Sequence, residues 1–543
     1  MTLRPFALAT LLTAGAFVSA CSGADPIPEV VTPPPVVVTA APDTAVAPEP
    51  EPAEPYSGEI VSSSTLPGPD REFRAAWIAT VANIDWPTRA DLEADEQRAE
   101  LIALLDRAVE VGLNAIVLQV RPMGDALYYS PNEPWSAFLT GEEAVPPSPW
   151  YDPLTFAVRE AHARGLELHA WFNPYRAGHP ASIGRRDITH ISRQRPDLIR
   201  RYGDQVWLDP GEPDAVDHSM EVIMDVVRRY DIDGVHIDDY FYPYPINRNG
   251  RRVQFPDADS YARALEAGET LGRDDWRRQN VDLFIERMYR EVKDIKPHVK
   301  VGVSPFGIWR PGYPETVRGF DQYGEIYADA RKWWREGTLD YLAPQLYWSI
   351  DSDGQSFPAL LEWWASENAS DRHLWPGLYT SRLLPDVGGY DDDEIPSQVR
   401  LVQDLEGATG TIHFSMKALV EGVTSAGAAL EAGPYAEPAL VPASPWIEDD
   451  APEAPLVRVT PRGDALDVLF SEGGPERARH YVVRARRGGE WSWQVVQPDV
   501  GTMVLDRTEA GAVEAVAVSV VDRVGNEGPA RVLEVALLTA EAR

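Results

Sequence analysis

From residue 73 onward the chain alternates short apolar runs with longer amphipathic stretches. The apolar runs cover 73–79, 115–120, 166–172, 234–238, 299–304, 341–346, 374–378 and 411–414. Their length, and the turn-forming or polar residues that bound them, predict buried strands. The stretches 92–111, 153–164, 214–229, 276–295, 323–336, 358–368 and 397–405 repeat apolar residues at helical spacing. Each interval is long enough for the helical crossover that parallel strands require. Eight such units predict an α/β fold, a (β/α)8 TIM-type barrel over 71–433. A doubly wound open sheet is the rival arrangement, but no Gly-rich phosphate loop follows the first run.

After a Pro-rich linker at 434–455 the texture changes. Segments such as Leu466-Asp467-Val468-Leu469-Phe470 and Ala515-Val516-Ala517-Val518-Ser519 lack a helical period and are broken by turns at regular intervals. They predict a small β-sandwich over 456–543. The turn Asp522-Arg523-Val524-Gly525-Asn526-Glu527 resembles the end of a fibronectin type III-like module. This unit is expected to act as a spacer or as a docking surface for a protein partner.

The N-terminal end reads differently again. Arg4 precedes an apolar stretch from Phe6 to Val18, and Val18-Ser19-Ala20-Cys21 supplies a small-residue processing site. This predicts a signal peptide at 1–20, too short to span a membrane as a helix. The site resembles a bacterial lipobox, which would make Cys21 a lipidated first residue and a membrane anchor. Cys21 is the only cysteine, so a disulfide framework and a catalytic thiol are excluded. Ser22 after the cysteine favours the outer membrane over the inner in a periplasm-facing envelope location. Residues 21–70 are rich in Pro, Ala, Val and Glu with no Lys or Arg before Arg71, which predicts an extended, disordered tether.

Composition narrows the partners. A net charge of −35 argues against nucleic acid, which needs a basic footprint. Seventeen Trp residues exceed what cores usually need and suit the apolar faces of sugar rings.

In a barrel of this type chemistry gathers at the C-terminal ends of the strands. Those ends carry Gln119-Val120-Arg121-Pro122, Trp171-Phe172-Asn173-Pro174-Tyr175-Arg176, Gly234-Val235-His236-Ile237-Asp238-Asp239-Tyr240, Ser304-Pro305-Phe306-Gly307-Ile308-Trp309 and Gln345-Leu346-Tyr347-Trp348. Glycoside hydrolysis uses two carboxyl groups. Strand alternation places Asp238 in the lumen beside His236 and turns Asp239 away unless the strand breaks there. Asp238 and Asp239 are therefore candidate catalytic acids, with Asp125 as a partner from another strand. Arg121, Asn173, Tyr175, Arg176, His236, Tyr240, Trp309, Gln345, Tyr347 and Trp348 are candidate substrate-binding residues. His236 with Asp238 makes only two metal ligands, so a zinc site is not expected, while an oxygen-ligated Ca2+ or Mg2+ stays open. With neither a P-loop nor a dinucleotide fingerprint, no cofactor is expected.

These same blocks, with Arg71-Glu72-Phe73-Arg74-Ala75-Ala76-Trp77-Ile78 at the front, resemble the bacterial glycosyl-hydrolase-like (family-10-like) lipoproteins over roughly 71–450. The resemblance implies a TIM-type barrel held in the bacterial envelope by a lipid anchor. A division-associated member of that family cleaves peptidoglycan glycan strands stripped of their stem peptides, so the same polymer is the expected substrate. The alternatives are a carbohydrate-binding envelope scaffold without turnover and a hydrolase of another polysaccharide.

Overall fold

The computed structural model describes residues 58–178, 186–508 and 511–535. Cys21, the signal peptide and the tether up to residue 57 lie outside them.

The eight predicted strands form one parallel set: β1 (Phe73–Ile78), β2 (Ala115–Arg121), β3 (Glu167–Phe172), β4 (Gly234–Ile237), β5 (Lys300–Val303), β6 (Tyr341–Leu342), β7 in two pieces (His373–Leu374 and Gly377–Leu378) and β8 (Gly410–His413). They pair in chain order, and β8 returns to β1 with Gly410 opposite Phe73. The first piece of β7 pairs with β6 and the second with β8, so the sheet closes through that strand. Pro376 lacks the N–H that a continuous strand would use, which explains the break. Pro344 likewise follows the shortened β6.

Helices between the strands include Ala94–Glu110, Pro153–Ala163, Pro213–Arg229, Arg273–Ile295, Phe357–Ser366 and Glu394–Asp404. The expected helix over 323–336 is instead two, Gln322–Glu325 and Ala330–Glu336, separated where Tyr327 takes a φ of 59°.

Alternation along the strands sorts two cores. Ala76, Ile78, Ile116, Leu118, Leu168, Ala170, Val235, Ile237, Val301 and Val303 face the helices and join the large outer core. Phe73, Ala75, Trp77, Val117, Trp171, Tyr341 and Trp375 fill the lumen. Phe73 and Trp375 stack there at 3.7 Å between ring centres. Seven tryptophans, including Trp86, Trp207, Trp333 and Trp364, are fully buried, so much of the high Trp content is core.

A polar chain runs down the lumen beneath the strand ends. Trp77 Nε1 donates to His236 Nε2 at 3.1 Å, which leaves the ring proton on Nδ1 to meet the Tyr341 hydroxyl at 2.9 Å. That hydroxyl lies 2.9 Å from His169 Nδ1, and His169 Nε2 lies 3.0 Å from Glu167 Oε2. Lys300 Nζ completes the chain on Glu167 Oε1 at 2.8 Å. Every donor finds one acceptor, the condition under which buried polar groups are tolerated. Two glycines make the room: a Cβ on Gly302 would lie 1.9 Å from the Tyr341 ring, and one on Gly234 2.4 Å from His169 Nδ1.

The C-terminal strands form two antiparallel sheets. One has Leu456–Arg462, Ala465–Ser471 and Thr502–Leu505; the other has Glu490–Val496, His480–Arg487, Ala515–Val521 and Ala530–Glu534. Val459, Val468, Tyr481, Val483 and Val518 pack between them. This three-plus-four arrangement is the fibronectin type III-like sandwich read from the sequence. Residues 58–70, assigned to the tether by their composition, are ordered: the strand Glu59–Val61 pairs with Ala530–Glu534 at the edge of the larger sheet. In the Pro-rich linker, Ala439–Leu440 pairs with Asp70–Arg71.

The sandwich meets the barrel at the N-terminal ends of the strands. Arg479 donates to Leu166 O at 2.7 Å, just before β3, and Arg523 donates to Asp233 Oδ1 at 3.1 Å, just before β4. Among the described residues, none of the sandwich lines the cleft at the opposite end of the barrel.

Candidate active site

A cleft of about 310 Å³ opens at the C-terminal end of the strands, lined by Trp77, Gln119, Trp171, Arg176, Asp238, Asp239, Tyr240, Tyr244, Ser304, Gln345, Tyr347 and Phe414 among others. Contributions come from β1 through β6 and β8, which is why no single sequence block describes it.

Both adjacent aspartates reach it. β4 ends at Ile237, and Asp238 continues the inward side of the strand above His236. Beyond the strand the chain bends, and the Tyr240 N–H turns back to Asp238 Oδ1 at 3.3 Å. This bend delivers Asp239 to the cleft although strict alternation would bury it among the helices.

Asp238 Oδ2 accepts from Asn173 Nδ2 at 2.6 Å and from Trp171 Nε1 at 3.2 Å. Asn173 is held in turn by Gln119 Nε2 at 2.6 Å, and Gln119 Oε1 accepts the Thr80 and Val81 N–H groups at 2.9 Å each. Asp239 accepts the Tyr244 hydroxyl and a hydrogen bond from Gln345. The Arg176 guanidinium lies 3.8 Å above the Tyr240 ring. Burial and the neighbouring Asp239 push Asp238 up to about 7. Burial also raises Asp239 against the pull of the Tyr244 hydroxyl and Arg176. Two like charges this deep cannot both persist, so the pair retains a proton near neutral pH. Such a pair can protonate a leaving oxygen.

Residues 72–385 match the Glycosyl hydrolase-like 10 family, from the residue before β1 to beyond β7. The chain is 41% identical over 402 residues to the glycosyl hydrolase YngK of Bacillus subtilis, covering 72% of this chain and 77% of that one. It is 36% identical over 374 residues to the glycosyl hydrolase DigH of Escherichia coli K12, covering 63% and 82%. The chain belongs to the Glycosyl hydrolase-like 10 family. It is a glycoside hydrolase.

Within this family member the expected site residues divide. Asp238, Asp239, Arg176, Tyr240, Gln345 and Tyr347 line the cleft, and Asn173 stands directly behind Asp238. Asp125 is not there. It is fully buried, its Oδ1 accepts the Met123 N–H at 3.0 Å, and burial pushes it up to about 7. Arg121 is not a sugar ligand either; its guanidinium is fully buried and paired with Glu133, Nε to Oε2 at 2.8 Å. His236 lies below the floor, kept neutral by burial. Tyr175 packs against Phe284 on the helix side, centroids 5.3 Å apart. Trp309 donates to Asp329 Oδ1 at 3.0 Å in the loop after β5, stacked against Trp363, and Trp348 packs on Phe306. These residues follow strand ends in sequence but point into loop packing, which strand position alone does not reveal.

The cleft also uses residues not singled out from sequence as sugar ligands: Trp77, Gln119, Trp171, Ser304, Tyr244 and Phe414. Inward alternation along β1, β2, β3 and β8 would have found Trp77, Gln119, Trp171 and Phe414. Among the described residues no group of three or more His, Cys, Asp or Glu is arranged to hold a metal.

Proposed function

We propose that the protein is a lipid-anchored envelope enzyme that cleaves the glycan backbone of peptidoglycan, acting on strands stripped of their stem peptides. The observation that carries the hydrolytic part is the Asp238–Asp239 pair, buried together in an aromatic cleft at the mouth of the barrel. The pair donates its proton to the glycosidic oxygen as the bond breaks and takes one back from water as the product forms. Tyr240, Tyr347 and Phe414 offer ring faces at the rim, Arg176 offers donors for sugar hydroxyls or a lactyl carboxylate, and Gln345, whose amide protons are engaged, offers its carbonyl oxygen as an acceptor. The signal sequence and lipobox ending at Cys21 support an envelope location and membrane attachment, with the outer membrane favoured by Ser22. The sandwich on the far end of the barrel leaves the cleft open to a polymer and presents its own free surface to a protein partner.

The test is incubation of the purified protein with intact sacculi and with sacculi stripped of peptides. Soluble peptide-free oligosaccharides should appear from the stripped material, and their absence from both would overturn the substrate. Asp238→Asn and Asp239→Asn should each abolish release; full release by both would overturn the site.

A further inference from the structure

We propose that the nucleophile in this cleft is the substrate's own 2-acetamido group, with Asp238 orienting it and Asp239 exchanging the proton with the leaving oxygen. This rests on the reading of the cleft as a glycosidase site and narrows its substrates to β-linked 2-acetamido sugars.

Direct displacement at an anomeric carbon needs two carboxyl groups facing each other across the sugar, roughly 5–5.5 Å apart for retention or about 6.5–9.5 Å for inversion. Among the described residues the carboxylates lining the cleft are Asp238 and Asp239, consecutive residues at the end of one strand. A consecutive pair approaches the sugar from one side. The neighbouring Asp85 cannot serve from the other, because Oδ2 accepts the Ala79 N–H at 2.7 Å while Oδ1 accepts Ser415 at 2.6 Å and the Lys417 N–H at 2.9 Å. Glu133 is bound to Arg121 and His218. Residues 179–185 contain neither Asp nor Glu. Among the described residues the opposite face is therefore without a carboxylate nucleophile, and a carbonyl oxygen carried by the substrate at C2 can take that place.

The surroundings of the two acids differ in a way that fits two roles. Asp238 has Oδ2 fixed by Trp171 and Asn173, so it can hold an amide N–H at a set angle. Its walls are Trp77 and Trp171, whose indole N–H groups are already engaged, leaving only apolar surface to meet an acetyl methyl. Asp239 has the Tyr244 phenol as its partner, a group that can follow changes of its charge.

In the first step the acetamido oxygen bonds to C1 as the bond from C1 to the leaving sugar breaks. The electron pair of that bond stays on the leaving oxygen, which takes the proton of Asp239. The product is an oxazolinium ring whose N–H is held by the Asp238 carboxylate. In the second step water adds to C1 and gives its proton to Asp239. The bond from C1 to the acyl oxygen opens, and the acetamide is restored with the original anomeric configuration. Water is the only co-reactant.

The experiment uses the full chain and two readouts. Calorimetry measures binding of N-acetylglucosamine-thiazoline, a stable mimic of the fused ring, whether or not a substrate has been found. Wild type should bind it, Asp238→Asn and Asp238→Ala should lose binding, and Asp239→Asn should retain it. Absence of binding to the wild type, or undiminished binding to both folded Asp238 variants, overturns the proposal. Product analysis on peptide-stripped glycan by NMR should give the β-anomer first, and N-trifluoroacetyl substrates should be cleaved far more slowly than N-acetyl ones. Inverted product, or rates indifferent to the acyl group, overturns the mechanism while leaving the glycosidase reading intact. Failure to cleave any glycan, with thiazoline still bound, overturns the peptidoglycan reading instead.

Discussion

Asn173 Nδ2 donates to Asp238 Oδ2 at 2.6 Å, the shorter of the two side-chain hydrogen bonds that fix this carboxylate. The amide is itself clamped by Gln119 from the neighbouring strand, so the acid is oriented by a rigid pair rather than by a mobile loop. Asn173→Ala should lower kcat by about 10-fold or more with little change in KM, because it loosens an aligned group without removing a sugar contact. Loss of a donor to the charged form should also move the alkaline limb of the pH–rate profile upward. Steady-state kinetics across pH on the purified glycan measures both, and an unchanged kcat would refute the clamp.

The proton that the Asp238–Asp239 pair retains up to about 7 sets the pH dependence of the reaction. The pair carries one proton below that value and loses it above, so kcat/KM should fall as pH rises through about 7. The stability consequence has a definite sign. The folded protein keeps the proton between about 4 and 7 where the unfolded chain, with a pKa near 3.9, has lost it, so stability declines as pH rises through that window. Asp238→Asn removes the cost of ionisation. Its Tm should exceed wild type at pH 8, by roughly 1 °C for each kcal/mol relieved in a unit of this size, and match it near pH 4. Calorimetric melting at both pH values decides this, and a lower Tm at pH 8 would count against buried ionisation.

The barrel was legible because its strands are buried on both sides and its helices are amphipathic, two patterns that sequence carries directly. Period-two alternation also placed His236 and Asp238 on the inner side. It could not place Asp239, whose position depends on a bend after Ile237. Nor could it tell Asp125 and Arg121 from site residues, since both follow β2 but are consumed by a backbone N–H and by Glu133. Those partners, the Met123 N–H and Glu133, lie in the loop that follows β2, and strand periodicity does not encode how that loop folds back. Tyr244 entered the site from the same bend that carried Asp239.

Tyr341 is the hinge of the lumen chain, since its hydroxyl serves both His236 and His169. Tyr341→Phe keeps the ring that Gly302 accommodates but leaves two buried imidazole nitrogens without a partner. The expected cost is about 2 kcal/mol, read from chemical denaturation. Gly302→Ala tests the same packing from the other side: its methyl would overlap the ring, so it should destabilise by about as much or more. Equal stability of both variants to wild type would show that the chain and its packing are dispensable.

Asp233 joins the barrel to the sandwich. It accepts the Leu168 N–H and His162 Nε2 at 2.8 Å each, and Arg523 at 3.1 Å, with Arg479 at 3.7 Å. Burial works to raise its pKa, but Arg479, His162 and Arg523 together hold it well below the usual carboxylate range. A depressed pKa stabilises the fold at pH values above about 4, and that contribution is lost as pH falls further. Asp233→Asn should therefore cost about 3 kcal/mol at pH 7, where it leaves two guanidinium groups facing a neutral amide, and about 1 kcal/mol less at pH 3. Arg523→Ala should weaken the same junction while leaving kcat unchanged, because the cleft lies at the opposite end of the barrel. Denaturation curves at the two pH values, with glycan hydrolysis measured in parallel, test both variants. A loss of turnover in folded Arg523→Ala would show that the sandwich acts on the cleft and not only on the stability of the barrel.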